Sequence, residues 1–297
     1  MVCLTRNLLL PVKFAVIQFL CHLSATVVSV SADNSKLALS FSGCGFLGTY
    51  HFGVLTCLSK NRPDLNKRVA RCAGASSGSL VAAVSVLAPE KIEDGLDKMY
   101  SLAKEVSSLR FGAWTSGFRL SEKLASIVEA FIPDDISRAQ DNLYISLTRR
   151  RDYKNVLVSH FVSRSHLMDC LFASCYIPMY SMGLDFNAPR PLIDDEVYID
   201  GGYTNNLPVF LDIPTITISP FSGNAMVSPK DEGSIVPLMD LNFRFGTQEF
   251  KVNMNNLWRG RQALFPPSVE VLRDYYYKGY EDMLDFLSKN NLTLNGF

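Results

Sequence analysis

Gly74-Ala75-Ser76-Ser77-Gly78 is followed by Ser79, then by an apolar run from Leu80 to Leu87, with Pro89 beyond. G-x-S-x-G ahead of an apolar run reads as a sharp strand-to-helix turn that carries its middle serine on a strained elbow. Glycines at both flanks leave space that a side chain would fill. A serine so placed stands at a helix N-terminus, where free N–H groups and the helix dipole favour developing negative charge. Ser76 is therefore a candidate nucleophile, with Gly74 and Gly78 as its elbow glycines. The competing reading is a Gly/Ser turn that caps a buried helix, and five residues alone do not separate the two.

Around this stretch the chain supplies 297 residues, 47% of them hydrophobic, enough to bury the core of one large α/β domain or two small ones. Basic and acidic residues balance at 29 each, which excludes the strong positive field of a nucleic-acid binder. Nineteen Phe and twelve Tyr suit a thick core, an apolar substrate groove or a surface that touches lipid. The seven cysteines form no paired C-x-x-C clusters, so no metal site is expected, and they lie mostly in apolar stretches as buried free thiols do.

Residues 1–35 form a separate segment. Arg6 and Lys13 precede an apolar stretch from Phe14 to Leu23, and small residues end at Val30-Ser31-Ala32 before Asp33. The pattern is that of a signal peptide, or of an uncleaved membrane anchor. Residues 36–290 are read as one globular domain and 291–297 as a tail carrying a sequon, Asn291-Leu292-Thr293. A secretory destination follows from the first alternative, membrane or lipid-droplet association from the second.

The domain opens with a short apolar strand, Leu37 to Phe41, then a glycine-rich loop, then a helix from Thr49 to Ser59. Arg68 to Ala73 reads as the strand leading into the elbow, and Ser79 to Leu87 as the helix leaving it. Lys60 to Lys67 reads as a polar loop. Amphipathic helices are expected over Glu90 to Val106 and Ser121 to Phe131. Asn142 to Thr148 and Lys154 to Ser159 read as strands joined at Arg149-Arg150-Arg151-Asp152, a solvated turn or a contact for anionic headgroups. A helix capped by Ser163 ends near Ser174. Glu196 to Ile199 is a short strand ending in Asp200-Gly201-Gly202, and Thr215 to Ser219 is the last clear strand. Asn255 to Ala263 and Pro267 to Lys289 read as helices. Strands alternating with helices predict a three-layer α/β domain with a mainly parallel sheet.

An activated serine needs a proton acceptor and donors for the oxyanion. All four histidines, His22, His51, His160 and His166, precede Asp200, so a Ser-acid-His order with Asp200 as the acid is impossible. His51, directly after the glycine loop, reads more readily as a packing residue than as a base. Asp200 is the remaining acceptor. It sits at a strand end, where open α/β sheets place functional groups, and Gly201 and Gly202 let the backbone turn at once. The plain alternative is that Asp-Gly-Gly only makes a turn. Gly43-Cys44-Gly45-Phe46-Leu47-Gly48 spells the dinucleotide fingerprint G-x-G-x-x-G. No acidic residue stands at the end of a second strand about twenty positions on. An oxyanion hole of converging N–H groups competes with the nucleotide reading, and it uses both the elbow and Asp200.

Four runs taken together, LALSFSGCGFLGTYHFGV (Leu37 to Val54), GASSG (Gly74 to Gly78), LFASCYIPMYS (Leu171 to Ser181) and YIDGGYTNNLP (Tyr198 to Pro208), resemble a patatin-like phospholipase domain. Within that family the chain is similar to the adipose triglyceride lipase and adiponutrin group, over about Lys36 to Lys289. The resemblance implies a patatin fold and a Ser-Asp dyad of Ser76 and Asp200. It implies oxyanion donors at Gly43, Cys44 and Gly45, with Gly48 completing the loop. It also implies hydrolysis of carboxyl esters in acylglycerols or phospholipids, or acyl transfer between lipids, at a membrane or droplet surface and without a metal or other cofactor. Relatives of this group usually begin close to the first strand, and the larger ones carry a C-terminal droplet-binding extension. The apolar N-terminal segment here is expected to take over that role. A low-turnover regulatory protein that binds lipid surfaces is the alternative from outside enzymology.

Overall fold

The computed structural model describes residues 36–184, 189–231, 242–290 and 292. The expected targeting segment, 1–35, and the sequon at Asn291 lie outside the described residues. The strands β1 (Leu37–Phe41), β2 (Val69–Ala75), β3 (Leu143–Arg149), β4 (Lys154–Val158), β5 (Ser181–Leu184), β6 (Leu192–Ile193), β7 (Glu196–Asp200) and β8 (Thr215–Ile218) precede a hairpin, β9 (Asn242–Phe245) and β10 (Gln248–Lys251). The helices are α1 (Thr49–Asn61), α2 (Pro63–Lys67), α3 (Ser77–Leu87), α4 (Ile92–Ser108), α5 (Leu120–Glu129), α6 (Arg164–Ser174), α7 (Gly202–Asn205), α8 (Met254–Leu264) and α9 (Val269–Lys289).

In the main sheet β6 pairs with β7, β7 with β3, β3 also with β4 and β2, β2 with β1, and β1 with β8. Its centre, β8-β1-β2-β3, is parallel, while β4, β6 and β7 join antiparallel. Every residue of β1 is buried, as expected of a central parallel strand covered on both faces, and this explains its unbroken apolar run. Because β1, β2 and β8 point the same way, the glycine loop, the elbow and the segment after Ile218 leave the sheet at one end, where open α/β sheets carry their sites.

Helices α1 and α9 touch backbone to backbone. A Cβ on Gly53 would lie 1.9 Å from the Tyr276 carbonyl oxygen, and one on Gly279 would lie 2.1 Å from that of Tyr50. The contact is fixed by the buried Tyr50 hydroxyl, which donates to Asp282 Oδ2 at 2.8 Å.

Two expectations are corrected. Lys60 to Lys67 is not a loop: α1 continues to Asn61, and α2 starts on Pro63 with Asp64 in its first turn, both favoured at a helix start. The strands also do not end at β8. Asn242–Phe245 and Gln248–Lys251 pair antiparallel across Gly246-Thr247, with Gly246 at φ 59, a left-handed conformation suited to a tight hairpin. Among the described residues no helix is long and apolar enough to cross a membrane.

Candidate active site

β2 and β7 occupy the same edge of β3, end to end. β4 pairs with Ile145 to Arg149 along one edge of β3. β2 pairs with Leu143 to Ser146 and β7 with Leu147 to Arg149, so both must use the other edge. β2 runs parallel to β3 and β7 antiparallel, and their C-termini meet: Ala75 is opposite Ser146, and Asp200 is opposite Leu147. Ser76 and Asp200 therefore project from the joint between two strands. Two side chains stitch it. The Ser76 N–H donates to Ser174 Oγ at 2.9 Å, and the Ser174 hydroxyl donates to the Ser146 carbonyl at 2.8 Å. The Thr148 hydroxyl donates to the Asp200 carbonyl at 2.8 Å. A Cβ on Gly201 would stand 2.0 Å from Ser146 O, so only glycine lets the chain leave β7 beside β3.

Ser76 sits at φ 52, ψ −132, a backbone region that side chains other than glycine adopt at a cost of roughly 1–3 kcal/mol. Close contact beneath the elbow holds it there. A Cβ on Gly74 would lie 2.3 Å from the Gly78 carbonyl carbon, and one on Gly78 would lie 2.3 Å from Phe41 O. The Ser79 N–H and hydroxyl both bond back to the Ser76 carbonyl, at 2.9 and 2.7 Å.

Asp200 is 5% exposed. Burial raises its pKa from 3.8 to about 6, while the neighbouring Ser76 hydroxyl and the Gly202 N–H, which donates to Asp200 Oδ1 at 2.7 Å, act in the opposite direction. A carboxylate tuned to this range beside a serine hydroxyl can serve as a general base near neutral pH.

The glycine loop lies against the elbow. A Cβ on Gly43 would be 3.0 Å from Ser76 Cβ and 2.7 Å from Asn206 Oδ1. The Gly43 N–H donates to Asn206 Oδ1 (3.0 Å) and the Cys44 N–H to Ser77 Oγ (3.1 Å). Among the described residues the N–H groups of Gly45 and of Ser77, the first residue of α3, have no acceptor. Gly45 is left-handed, at φ 53, and pressed against α8, where a Cβ would meet Ala263 O at 2.1 Å. Gly48 lies further along, against Met99.

His51 is fully buried, and its Nε2 donates to Ser42 O at 2.9 Å. Burial lowers its pKa to about 4, so the ring is neutral. It touches the Cys44 thiol (3.3 Å) and stacks edge-on with Phe41, which makes it a support for the loop. Burial raises the Cys44 thiol to about 12. Gly43, Cys44, Gly45, Ser76 and Asp200 all line one cavity of about 1270 Å³. Ordinary small-molecule sites hold roughly 300–1,000 Å³. Its walls are apolar side chains of α3, α4, α5, α8 and the β9–β10 hairpin, among them Leu80, Met99, Leu124, Leu257 and Phe250. Among the described residues no cluster of His, Cys, Asp or Glu could hold a metal ion.

Residues 39–213 match the family profile described as patatin-like phospholipase. The chain belongs to the patatin-like phospholipase family. The human patatin-like phospholipase domain-containing protein 4 is 40% identical over 254 residues, covering 85% of this chain and 97% of that protein. The rat patatin-like phospholipase domain-containing protein 2 is 37% identical over 259 residues, 87% of this chain and 52% of that protein. A human omega-hydroxyceramide transacylase is 33% identical over 255 residues, 86% of this chain and 46% of that protein. This patatin-like chain thus spans nearly all of the first relative and about half of the other two. The family comprises lipid hydrolases and acyltransferases.

Three further residues of this patatin-like site escaped the sequence reading. Asn206 holds Gly43 through Oδ1 and donates from Nδ2 to Gln248 Oε1 at 2.6 Å. Gln248 in turn donates to Ser219 Oγ at 2.7 Å. Asn206 lies within the Tyr198 to Pro208 run, so a signal was present. Ser174 likewise lies within the Leu171 to Ser181 run, whereas Gln248 sits far from any motif in the chain and only the fold brings it in.

Proposed function

We propose that this chain is a serine lipid acyl hydrolase of the triacylglycerol lipase and phospholipase type. The observation that carries the reading is the Ser76–Asp200 pair at the joint of β2 and β7, at the wall of a large apolar cavity. Ser76 Oγ attacks the ester carbonyl carbon, and its proton passes to Asp200. The oxyanion is held by the Gly45 N–H of the glycine loop and the Ser77 N–H at the start of α3, rather than by Gly43 and Cys44, whose N–H groups are bonded to Asn206 and Ser77. Asp200 returns the proton to the leaving alcohol, then takes one from water, whose oxygen releases the fatty acid from Ser76. An acylglycerol or phospholipid, presented at a membrane or droplet surface, fits a cavity walled by aliphatic and aromatic side chains. The chemistry uses no metal or organic cofactor.

A second reading has a specific support. One relative at 33% identity is named a transacylase, and the same groups would pass the acyl chain to a lipid alcohol. The test is a long-chain acylglycerol assay on wild type, Ser76→Ala and Asp200→Asn, with products separated in the presence of added monoacylglycerol. Release of fatty acid that both substitutions abolish supports hydrolysis. Growth of a higher acylglycerol in its place supports transfer. Undiminished rates in both variants would remove the dyad.

A further inference from the structure

Helix α8 is built inside out. Its inward face repeats every third residue and is polar: Asn253, the N-cap, then Asn256, Arg259 and Gln262. Each has partners. Asn253 Oδ1 accepts from the Asn256 N–H at 2.7 Å. Asn256 bonds both the N–H and the carbonyl of Ser222, at 3.0 and 2.7 Å. Arg259 Nη2 donates to Asp231 at 2.9 Å, and Gln262 Oε1 accepts from the Tyr275 hydroxyl at 2.6 Å. The outward face carries Met254, Leu257 and Trp258, exposed to 63%, 63% and 55%. An ordinary surface helix has the opposite arrangement. Here burial of polar groups is made tolerable by full hydrogen bonding, and the apolar stripe is left outside.

Beside it, Phe243 and Phe245 of β9 are exposed and stacked, with ring centres 6.5 Å apart. These two rings and the α8 stripe all border the cavity that holds Ser76. An exposed apolar patch of this kind marks an interaction surface. α8 contains no acidic residue, and Arg244 and Arg261 are both exposed, Arg244 standing opposite Glu249 on the neighbouring strand. The Arg261 guanidinium lies over the Trp258 ring, 4.9 Å from its centre. Aromatic rings beside basic side chains suit the boundary between acyl chains and anionic headgroups. A protein seated on these residues would also close the mouth of the site, whereas lipid would be continuous with its contents.

We propose that the outward face of α8 and the tip of the β9–β10 hairpin dock onto an anionic phospholipid surface. The mouth of the cavity is then set against the acyl layer, so that an ester reaches Ser76 without crossing bulk water. The proposal deepens the lipid-ester reading above and rests on it.

The test is flotation of the full chain, in the Ser76→Ala background, with phosphatidylcholine vesicles with and without phosphatidylserine. Removing turnover makes flotation report docking alone, and wild-type esterase activity is assayed separately. A protein that floats without esterase activity contradicts the hydrolase reading and leaves docking intact. The parent is expected to float with the anionic vesicles. Leu257→Gln/Trp258→Gln should partition about tenfold less or weaker still, since both side chains lose their burial. Arg261→Gln should lose the preference for phosphatidylserine, and Val162→Gln, exposed but away from the mouth, should float like its parent. A double variant that floats undiminished overturns the proposal, because another part of the chain, residues 1–35 included, then holds the vesicle. So does a parent that stays unbound and is a dimer by light scattering, which would mean that a second copy covers the face.

Discussion

Ser76 and Asp200 stand at two strand ends that meet on one edge of β3, where Ala75 is opposite Ser146 and Asp200 is opposite Leu147. Their pairing is a property of the sheet ladder rather than of two loops. A site on regular elements keeps its geometry better than one on loops, because each residue is fixed by main-chain hydrogen bonds. Ser174 and Gly201 support the joint, the first by bridging Ser76 to Ser146 and the second by leaving space against the Ser146 carbonyl.

The strain at Ser76 has a measurable size. With φ at 52, replacement by glycine relieves the backbone, whereas alanine keeps the strain. Both lose the hydroxyl, so the comparison isolates the elbow. Ser76→Gly is expected to be about 1 kcal/mol more stable than Ser76→Ala by urea or thermal unfolding. Equal stabilities would mean that the elbow stores no strain.

Asp200 ties activity and stability to pH in opposite directions. As the proposed base it must be ionised, so kcat/KM on a neutral ester should be level above pH of about 6 and fall tenfold per unit below it. A profile that stays level well below that point contradicts the assignment. For stability, burial makes the folded state hold the Asp200 proton more tightly than the unfolded chain. The resulting contribution is fully present below the ordinary value of 3.8 and is lost as pH rises through about 6. Asp200→Asn should therefore be inactive yet more stable at pH 8, by on the order of 3 kcal/mol. The gap should close as the pH falls toward 4, which unfolding curves across pH will show.

The glycine loop depends on Asn206. Asn206→Ala leaves the Gly43 N–H and Gln248 Oε1 without their present partners in a buried setting, at about 1–3 kcal/mol for each group. Stability should fall by that order, and kcat should fall more than KM rises, because the loop moves relative to Ser76. Gly43→Ala should act from the other side, since its Cβ would press on both Asn206 and Ser76. Retention of wild-type kcat in both variants would show that the loop position does not matter to the reaction.

What could be read from the chain and what could not follows from the range of the forces involved. The elbow, the buried β1 and most helices were legible because glycine spacing, apolar runs and helical periodicity are local. The α2 turn was hidden by its polarity, although Pro63 and Asp64 are favourable helix starters. The β9–β10 hairpin was missed because its strands are four residues each and β9 is exposed throughout, so no buried alternation marks it. Asn206, Gln248 and Ser174 act across long chain separations. The inversion of α8 was invisible because the sequence displays its amphipathic period and not which side faces the protein.

The most direct measurement is reaction of the full chain with a fluorophosphonate ester, followed by mapping of the modified peptide. An activated serine attacks such a reagent, while an ordinary serine in a turn does not. A single adduct on Ser76 is expected, formed at least a hundredfold more slowly in Asp200→Asn, on the scale of losing a positioned base. Labelling at another serine, or an equal rate in Asp200→Asn, would contradict the dyad.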